Sequence, residues 1–157
     1  MKYSILFALL AVCMTFGTMI NADEPSSPIE RIKLDDDAKV WPFSDAVAID
    51  FAKTEKLIFV SGQVGEDSTG ELHEETIEEA TKYAMDNIGR ILSVAGSDWS
   101  HVVSVQIFLR DLNDRAAMNE EYRKYFPTNE FPARRTTHSD TGYRIEISAT
   151  AVTPKVN

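Results

Sequence analysis

The residues best suited to chemistry lie near the end of the chain. Phe131-Pro132-Ala133-Arg134-Arg135-Thr136-Thr137 sets a proline, which removes a backbone donor and holds Phe131 extended, before two guanidinium groups and two strand-favouring threonines. Arginine at such a loop-to-strand junction presents a rigid fork of donors that fits a carboxylate. Glu146 stands mid-way along the final β-rich run, on its polar side and two residues from Arg144. An antiparallel hairpin from a strand starting near Ala133 into that final strand would place Arg134 beside Glu146. A carboxylate kept ionised by a guanidinium can act as a general base toward water. Taken singly, both residues are weak signals, because most adjacent arginines are solvated and most strand glutamates are solvated or salt-bridged.

Other chemistries are disfavoured by what the chain contains. Cys13 is the single cysteine, so there is neither a disulfide framework nor a thiolate metal site. His73, His101 and His138 are scattered, which disfavours a zinc site, and no metal or cofactor is expected. The phosphate-loop, dinucleotide and nucleophile-elbow signatures are missing. A formal charge of −9 argues against nucleic acid as a tight partner. Glu74, Glu75, Glu78 and Glu79 crowd one helix start, where the macrodipole accounts for them.

The elements that must position Arg134 and Glu146 follow from patterning. Ile29–Leu34 reads as a weak first strand, and Ala46–Phe51 with Leu57–Ser61 reads as a hairpin. Gly62 follows directly and permits close approach of a backbone or ligand. A helix is predicted over Thr76–Ala95, with a Thr76/Glu79 capping box, an apolar face of Ile77, Ala80, Ala84, Ile88, Ile91, Leu92 and Ala95, and a stop at Gly96. Val103–Leu109 alternates as a strand. A second helix runs from an Asn113 or Asp114 cap to about Phe126, its apolar side made by Ala117, Met118, Tyr122 and Tyr125. Tyr143–Val152 closes the chain, with Ile145, Ile147, Ala149 and Ala151 on one side. The result is an α+β, two-layer fold: a mixed sheet of about six strands with both helices on one face.

Residues 1–22 have the layout of a secretory signal peptide, with Lys2, an apolar run and cleavage expected after Ala22. Residues 23–28 form a polar linker and 29–157 a single domain. The mature chain would be secreted or periplasmic, with no membrane attachment after cleavage. It would carry 15 basic and 25 acidic residues, net −10.

Beyond these patterns, the motifs in their order resemble the RidA family, also called YjgF or L-PSP. The carrying segments are Trp41-Pro42-Phe43-Ser44-Asp45-Ala46, Val60-Ser61-Gly62-Gln63, Thr69-Gly70-Glu71, Ala95-Gly96-Ser97, Met118-Asn119-Glu120-Glu121-Tyr122, Pro132-Ala133-Arg134 and Ile145-Glu146-Ile147-Ser148-Ala149. The likeness runs from about Trp41 to Val152. It implies a chorismate-mutase-like fold, a homotrimer with sites in the clefts between subunits, and hydrolysis of small 2-imino or 2-aminoacrylate-type acids to 2-oxo acids and ammonia without a cofactor. By motif, Arg134 would bind the substrate carboxylate and Glu146 would position or activate water. Phe43, Ser61, Gly62, Asn119 and Thr136 would line the substrate. Phe43 stands where the family has tyrosine, Thr136 where many members have cysteine, Ser148 for a second glutamate and Asp45 for glutamine. A trimeric carboxylate-binding or interaction protein without turnover is the alternative.

Overall fold

Alternating strands and one long amphipathic helix build the scaffold. The computed structural model describes residues 27–34 and 40–156, so the leader expected over 1–22 and its cleavage point lie outside the described residues. The elements in chain order are β1 (Ile29–Ile32), β2 (Ala46–Ile49), β3 (Thr54–Val64), α1 (Ile77–Val94), β4 (Val102–Leu109), α2 (Arg115–Arg123), β5 (Ala133–His138) and β6 (Ile145–Pro154). Both helices pack on one face of a four-stranded mixed sheet of order β3-β6-β4-β5. β4 and β5 run parallel, and the other neighbours are antiparallel. β1 and β2 form a separate antiparallel pair. An isolated parallel bridge from Ser44 to Ala133 ties the lead-in of that pair to the free edge of β5. The α+β architecture read from the patterning is therefore present, with the six strands of the described residues divided four and two.

α1 begins where the Thr76 hydroxyl accepts from the Glu79 N–H at 3.1 Å. It ends at Gly96, whose φ of 80° lets Ser97 donate back to the Leu92 carbonyl at 2.8 Å. Its buried face is Ile77, Ala80, Thr81, Ala84, Met85, Ile88 and Leu92. Ile91, expected on that face, lies at its margin and is exposed, because the 3.6-residue turn carries the stripe through Met85 and Leu92 instead. Val105, Ile107, Leu109, Ile145, Ile147, Ala149 and Ala151 meet the helices from the sheet. Each fully buried isoleucine or leucine here contributes about 1.5–3 kcal/mol of apolar transfer. On the opposite face, the β1–β2 pair covers only one end, through Ile29, Val47, Ile49, Val103 and Val152.

Two expected pairings are overturned. Ala46–Phe51 and Leu57–Ser61 do not form a hairpin: β2 pairs with β1, and β3 pairs with β6. Phe51–Lys53 is a 3₁₀ turn, capped by Asp50 through the Ala52 N–H (2.9 Å), and it redirects the chain. The connection also lacks the glycine or asparagine that a tight hairpin turn needs. Nor do β5 and β6 form a hairpin. α2 returns the chain across the helix layer, so β5 enters parallel to β4 on its outer side, and β6 takes the inner place.

Candidate functional site

The pairing of β5 decides where Arg134 points. Arg134 lies opposite Val105 and Thr136 opposite Ile107. Both β4 partners face the helices, so these two side chains share the helix-facing side at the edge of the sheet. There the Arg134 guanidinium carbon lies 4.7 Å from the ring centre of Tyr122 on α2 and 6.0 Å from that of Phe43. Phe43 is held by its neighbour: the Ser44 hydroxyl donates to the Phe131 carbonyl at 2.5 Å, and the Ser44 N–H to the Pro132 carbonyl at 3.0 Å. Proline opening an edge strand suits this junction, because its missing N–H leaves no ladder bond unmade.

Four polar atoms in this region are buried without a hydrogen-bond partner: Arg134 Nη1, Thr136 Oγ1, Asn119 Oδ1 and Tyr122 OH. Buried polar groups ordinarily find partners, at a cost of about 1–3 kcal/mol when they do not. A ligand's polar groups can satisfy atoms left unpaired in this way. Burial lowers the Arg134 pKa, the Tyr122 hydroxyl partly offsets this, and the positive charges of Arg115 and Arg123 lower it further. The guanidinium nevertheless stays charged. Burial likewise pushes the Tyr122 hydroxyl well up, keeping it a neutral donor.

Glu146 is elsewhere. It lies opposite Phe108 and Val64 on the face that carries no helix. β4 separates it from Arg134, with three residues of offset along that strand. Two strand spacings and three residue rises put their backbones roughly 14 Å apart. The expected side-by-side approach of Arg134 and Glu146 therefore does not occur within one chain, because β5 lies beside β4 rather than β6. No guanidinium–carboxylate contact between Arg134 and Glu146 forms within the chain.

Glu146 instead meets Gly62. β3 takes three residues from Val60 to Gln63 where β6 takes two, from Ala149 to Ile147, a bulge with Ser61 and Gly62 at its crest. A Cβ built on Gly62 would lie 1.9 Å from Glu146 Oε1, so only glycine lets the carboxylate rest there. Ser61 is exposed beside it, and Gln63 Nε2 donates to the Gly62 carbonyl at 3.0 Å. The seven expected site residues thus form two groups. Phe43, Asn119, Thr136 and Arg134 gather around the β5–α2 edge, while Ser61, Gly62 and Glu146 gather on the open face.

The sequence reading placed Tyr122 in the apolar stripe of α2 and in the family-like segment Met118–Tyr122 but not among the site residues, and the structure sets its ring against Arg134. The available signal is its three-residue spacing from Asn119, which puts both on one helix face. Arg135 is exposed on the open side, opposite Gln106. Asp45, in the place of the family's glutamine, accepts from the Leu34 N–H at 2.9 Å. Asp67, Glu71 and His73 bring potential metal-ligand atoms within 4.8 Å of one another. The Asp67 carboxylate already accepts from Thr69 N, Thr69 Oγ1 and Glu71 N and meets His73 Nε2, so turn formation accounts for the cluster.

Among known proteins, residues 37–153 match the family described as Endoribonuclease L-PSP. A human protein named 2-iminobutanoate/2-iminopropanoate deaminase is 40% identical over 117 residues, spanning 72% of this chain and 81% of that protein. The YjgF gene product of E. coli, a crystal structure, is 31% identical with a TM-score of 0.58, over 62% of this chain and 81% of that one. A Rid-family protein from Yersinia pestis, 20% identical, shares the fold at a TM-score of 0.70, over 81% and 100% of the respective chains. With the matched region spanning most of its length, this chain is a member of the RidA/YjgF/L-PSP family.

Proposed function

We propose that the protein is an imine deaminase that hydrolyses small 2-imino or 2-aminoacrylate-type acids to 2-oxo acids and ammonia, in sites assembled between copies of the chain. The observation that carries this is Arg134: a buried guanidinium nitrogen without a partner, in a pocket of unpaired polar atoms. A carboxylate supplies what that fork lacks. The relatives named 2-iminobutanoate/2-iminopropanoate deaminase support the same substrate class.

Glu146 lies on the other face, so a neighbouring copy must bring its Glu146, Ser61 and Gly62 to the Arg134 pocket. A homotrimer, in which each cleft receives one group from each of two subunits, satisfies this. Leu57 and Phe59, exposed on the side of β3 that carries no helix, support self-association there. In the assembled cleft, Arg134 fixes the substrate carboxylate and the rings of Phe43 and Tyr122 wall the side chain. Glu146 takes a proton from water as its oxygen adds to the imine carbon, then returns it to the departing nitrogen. The imine carbon is already electrophilic, so orientation and proton handling suffice. No step requires a cofactor. Export through residues 1–22 is proposed from the sequence of that segment alone.

The test is ammonia release from 2-iminopropanoate generated in situ, with and without the purified protein. Acceleration that disappears in Arg134→Ala is expected, and wild-type protein that fails to accelerate release overturns the enzyme reading. One observation favours a binding protein without turnover: Phe43 presents a ring without the family's hydroxyl. Tight binding of 2-oxobutanoate by a protein that does not accelerate hydrolysis would identify that case. A monomer at micromolar concentration would overturn the shared site.

A further inference from the structure

Granting that Arg134 receives the substrate carboxylate, the charge around it narrows the substrate class. α2 turns Arg115, Asn119, Tyr122 and Arg123 to one side, since residues four, seven and eight apart share a helix face. That face brings Tyr122 against the Arg134 guanidinium and sets the Arg123 guanidinium 5.5 Å from the ring of Phe131. Three arginines therefore gather at one edge of a protein whose formal charge is −9.

Like charges repel, and an acidic chain has ample carboxylates to neutralise them. Among the described residues it does not do so here: none of the three arginines has an ion pair with a carboxylate. Asp114, directly before Arg115, is held instead by Arg144 at 3.0 Å. Glu121, beside Arg123, is paired with Lys124. Arg123 donates to the Val40 carbonyl at 2.7 Å, which positions it without cancelling its charge. The charges of Arg115 and Arg123 are both felt at Arg134.

We propose that this site selects 2-imino acids carrying a second carboxylate, with Arg134 taking the carboxylate next to the imine, Arg115 the distal one, and Arg123 reinforcing the field. Three guanidiniums set against one Glu146 from a neighbouring copy leave two positive charges, the complement of a dicarboxylate. A substrate with one carboxylate leaves one of them unmatched. The chemistry is the hydrolysis already described. Water oxygen bonds to the imine carbon, the C=N electron pair goes to nitrogen, and nitrogen takes a proton. The C–N bond then breaks, ammonia leaves with that pair, and the hydroxyl loses its proton as C=O forms. One water enters and one ammonia departs, with no change in oxidation state.

The test compares kcat/KM of the wild-type protein for 2-iminobutanoate and 2-iminoglutarate, each generated in situ from its amino acid by a flavin oxidase. In parallel, calorimetry measures the binding of 2-oxobutanoate and 2-oxoglutarate. The dicarboxylate is expected to be favoured about tenfold, the worth of one charge-assisted contact, with the preference shrinking as salt is raised. Arg115→Gln should reduce the dicarboxylate-to-monocarboxylate ratio about tenfold, and Arg115→Lys should retain most of it. Equal use of both imines, or a ratio unmoved by Arg115→Gln in a variant with the wild-type melting temperature, overturns the proposal. If Arg115→Gln fails to fold, a wild-type preference insensitive to salt has the same force. Selective binding of 2-oxoglutarate without hydrolysis of either imine would overturn the deaminase reading and leave this one standing. Hydrolysis of both imines with equal binding of the two 2-oxo acids would overturn this one alone.

Discussion

Gly62→Ala separates the position of Glu146 from the stability of the fold. A methyl group at Gly62 would sit 1.9 Å from Glu146 Oε1, 2.7 Å from its Cδ and 2.9 Å from its Cγ. These atoms belong to a flexible side chain rather than to backbone, so the carboxylate swings away and the sheet stays as it is. Ordinary contact begins near 3.4 Å, which requires Oε1 to move by at least about 1.5 Å. Rotating Glu146 off its preferred geometry costs about 0.5–1.5 kcal/mol. Restricting the unfolded chain offsets about 0.4–1 kcal/mol of this, since Gly62 is not among the glycines with positive φ. The net change in stability is within about 1 kcal/mol, a shift of roughly 2–4 °C in melting temperature at this size. A displacement of more than an ångström in a proton-handling group costs on the order of a hundredfold in rate. The expectation is therefore a well-folded variant whose kcat for imine hydrolysis drops about a hundredfold, with a smaller change in KM. The readouts are ammonia release and a thermal melt on one preparation. Wild-type kcat in folded Gly62→Ala would refute the role of Glu146 and the two-group site with it.

Gly65→Ala is the structural counterpart. Its Cβ would lie 2.8 Å from both the Ala80 Cα and the His73 carbonyl oxygen, which are backbone atoms, so a loss of about 1–3 kcal/mol by denaturant melt is expected. An unchanged midpoint would show that the β3–α1 approach is looser than described. Arg134→Lys keeps the charge but loses the planar fork, and should raise KM for the imine and weaken 2-oxobutanoate binding about tenfold or more by calorimetry. Wild-type affinity would show that the fork is not the receptor. Asp114→Asn removes the paired carboxylate that meets Arg144 at 3.0 and 3.2 Å, with an expected stability loss of about 1–2 kcal/mol in a urea melt. An effect below a few tenths would mark that bridge as solvated. His73 lies 3.1 Å from Asp67 and stacks on Tyr83 at 4.1 Å, and the hydrogen bond its ring donates to the Asp67 carboxylate raises its pKa above 6.5. The stabilisation it provides is complete below pH 6.5 and is lost as pH rises through the raised value. The Asp67 pKa is depressed, by the Thr69 hydroxyl first and then His73, so its contribution holds above pH 3.8 and is lost on further acidification. Hydrogen exchange at the Thr69 and Glu71 amides, corrected for intrinsic rate, should be slower at pH 5.5 than at pH 8.5, and His73→Gln should remove the difference. Equal protection at both pH values would refute this.

How much could be read without coordinates differs by element. α1 was legible because its cap, apolar spacing and Gly96 stop are all local, and local propensities here agree with the packing. The alternation of Val105, Ile107 and Leu109, and of Ile145, Ile147, Ala149 and Ala151, likewise revealed which side of each strand is buried. Strand partners were not legible. Ala46–Phe51 and Leu57–Ser61 are adjacent in sequence and both β-rich, yet pairing depends on the turn between them and on the distant strands that compete. The same limit misplaced β5 beside β6.

For the site, sequence by itself determined the identities: Arg134 at a proline-led strand start, Glu146 in a strand, and Gly62 after one, in an order resembling the family. Residue type and spacing are sufficient for that, because they define which donors and acceptors are available. Only the tertiary structure decided that Arg134 and Glu146 face opposite sides of the sheet, that Tyr122 lies against the guanidinium, and that Glu146 rests over Gly62. The physical reason is the order β3-β6-β4-β5. A parallel crossover through α2 puts one whole strand between two residues only twelve positions apart, and strand parity then turns them to opposite faces.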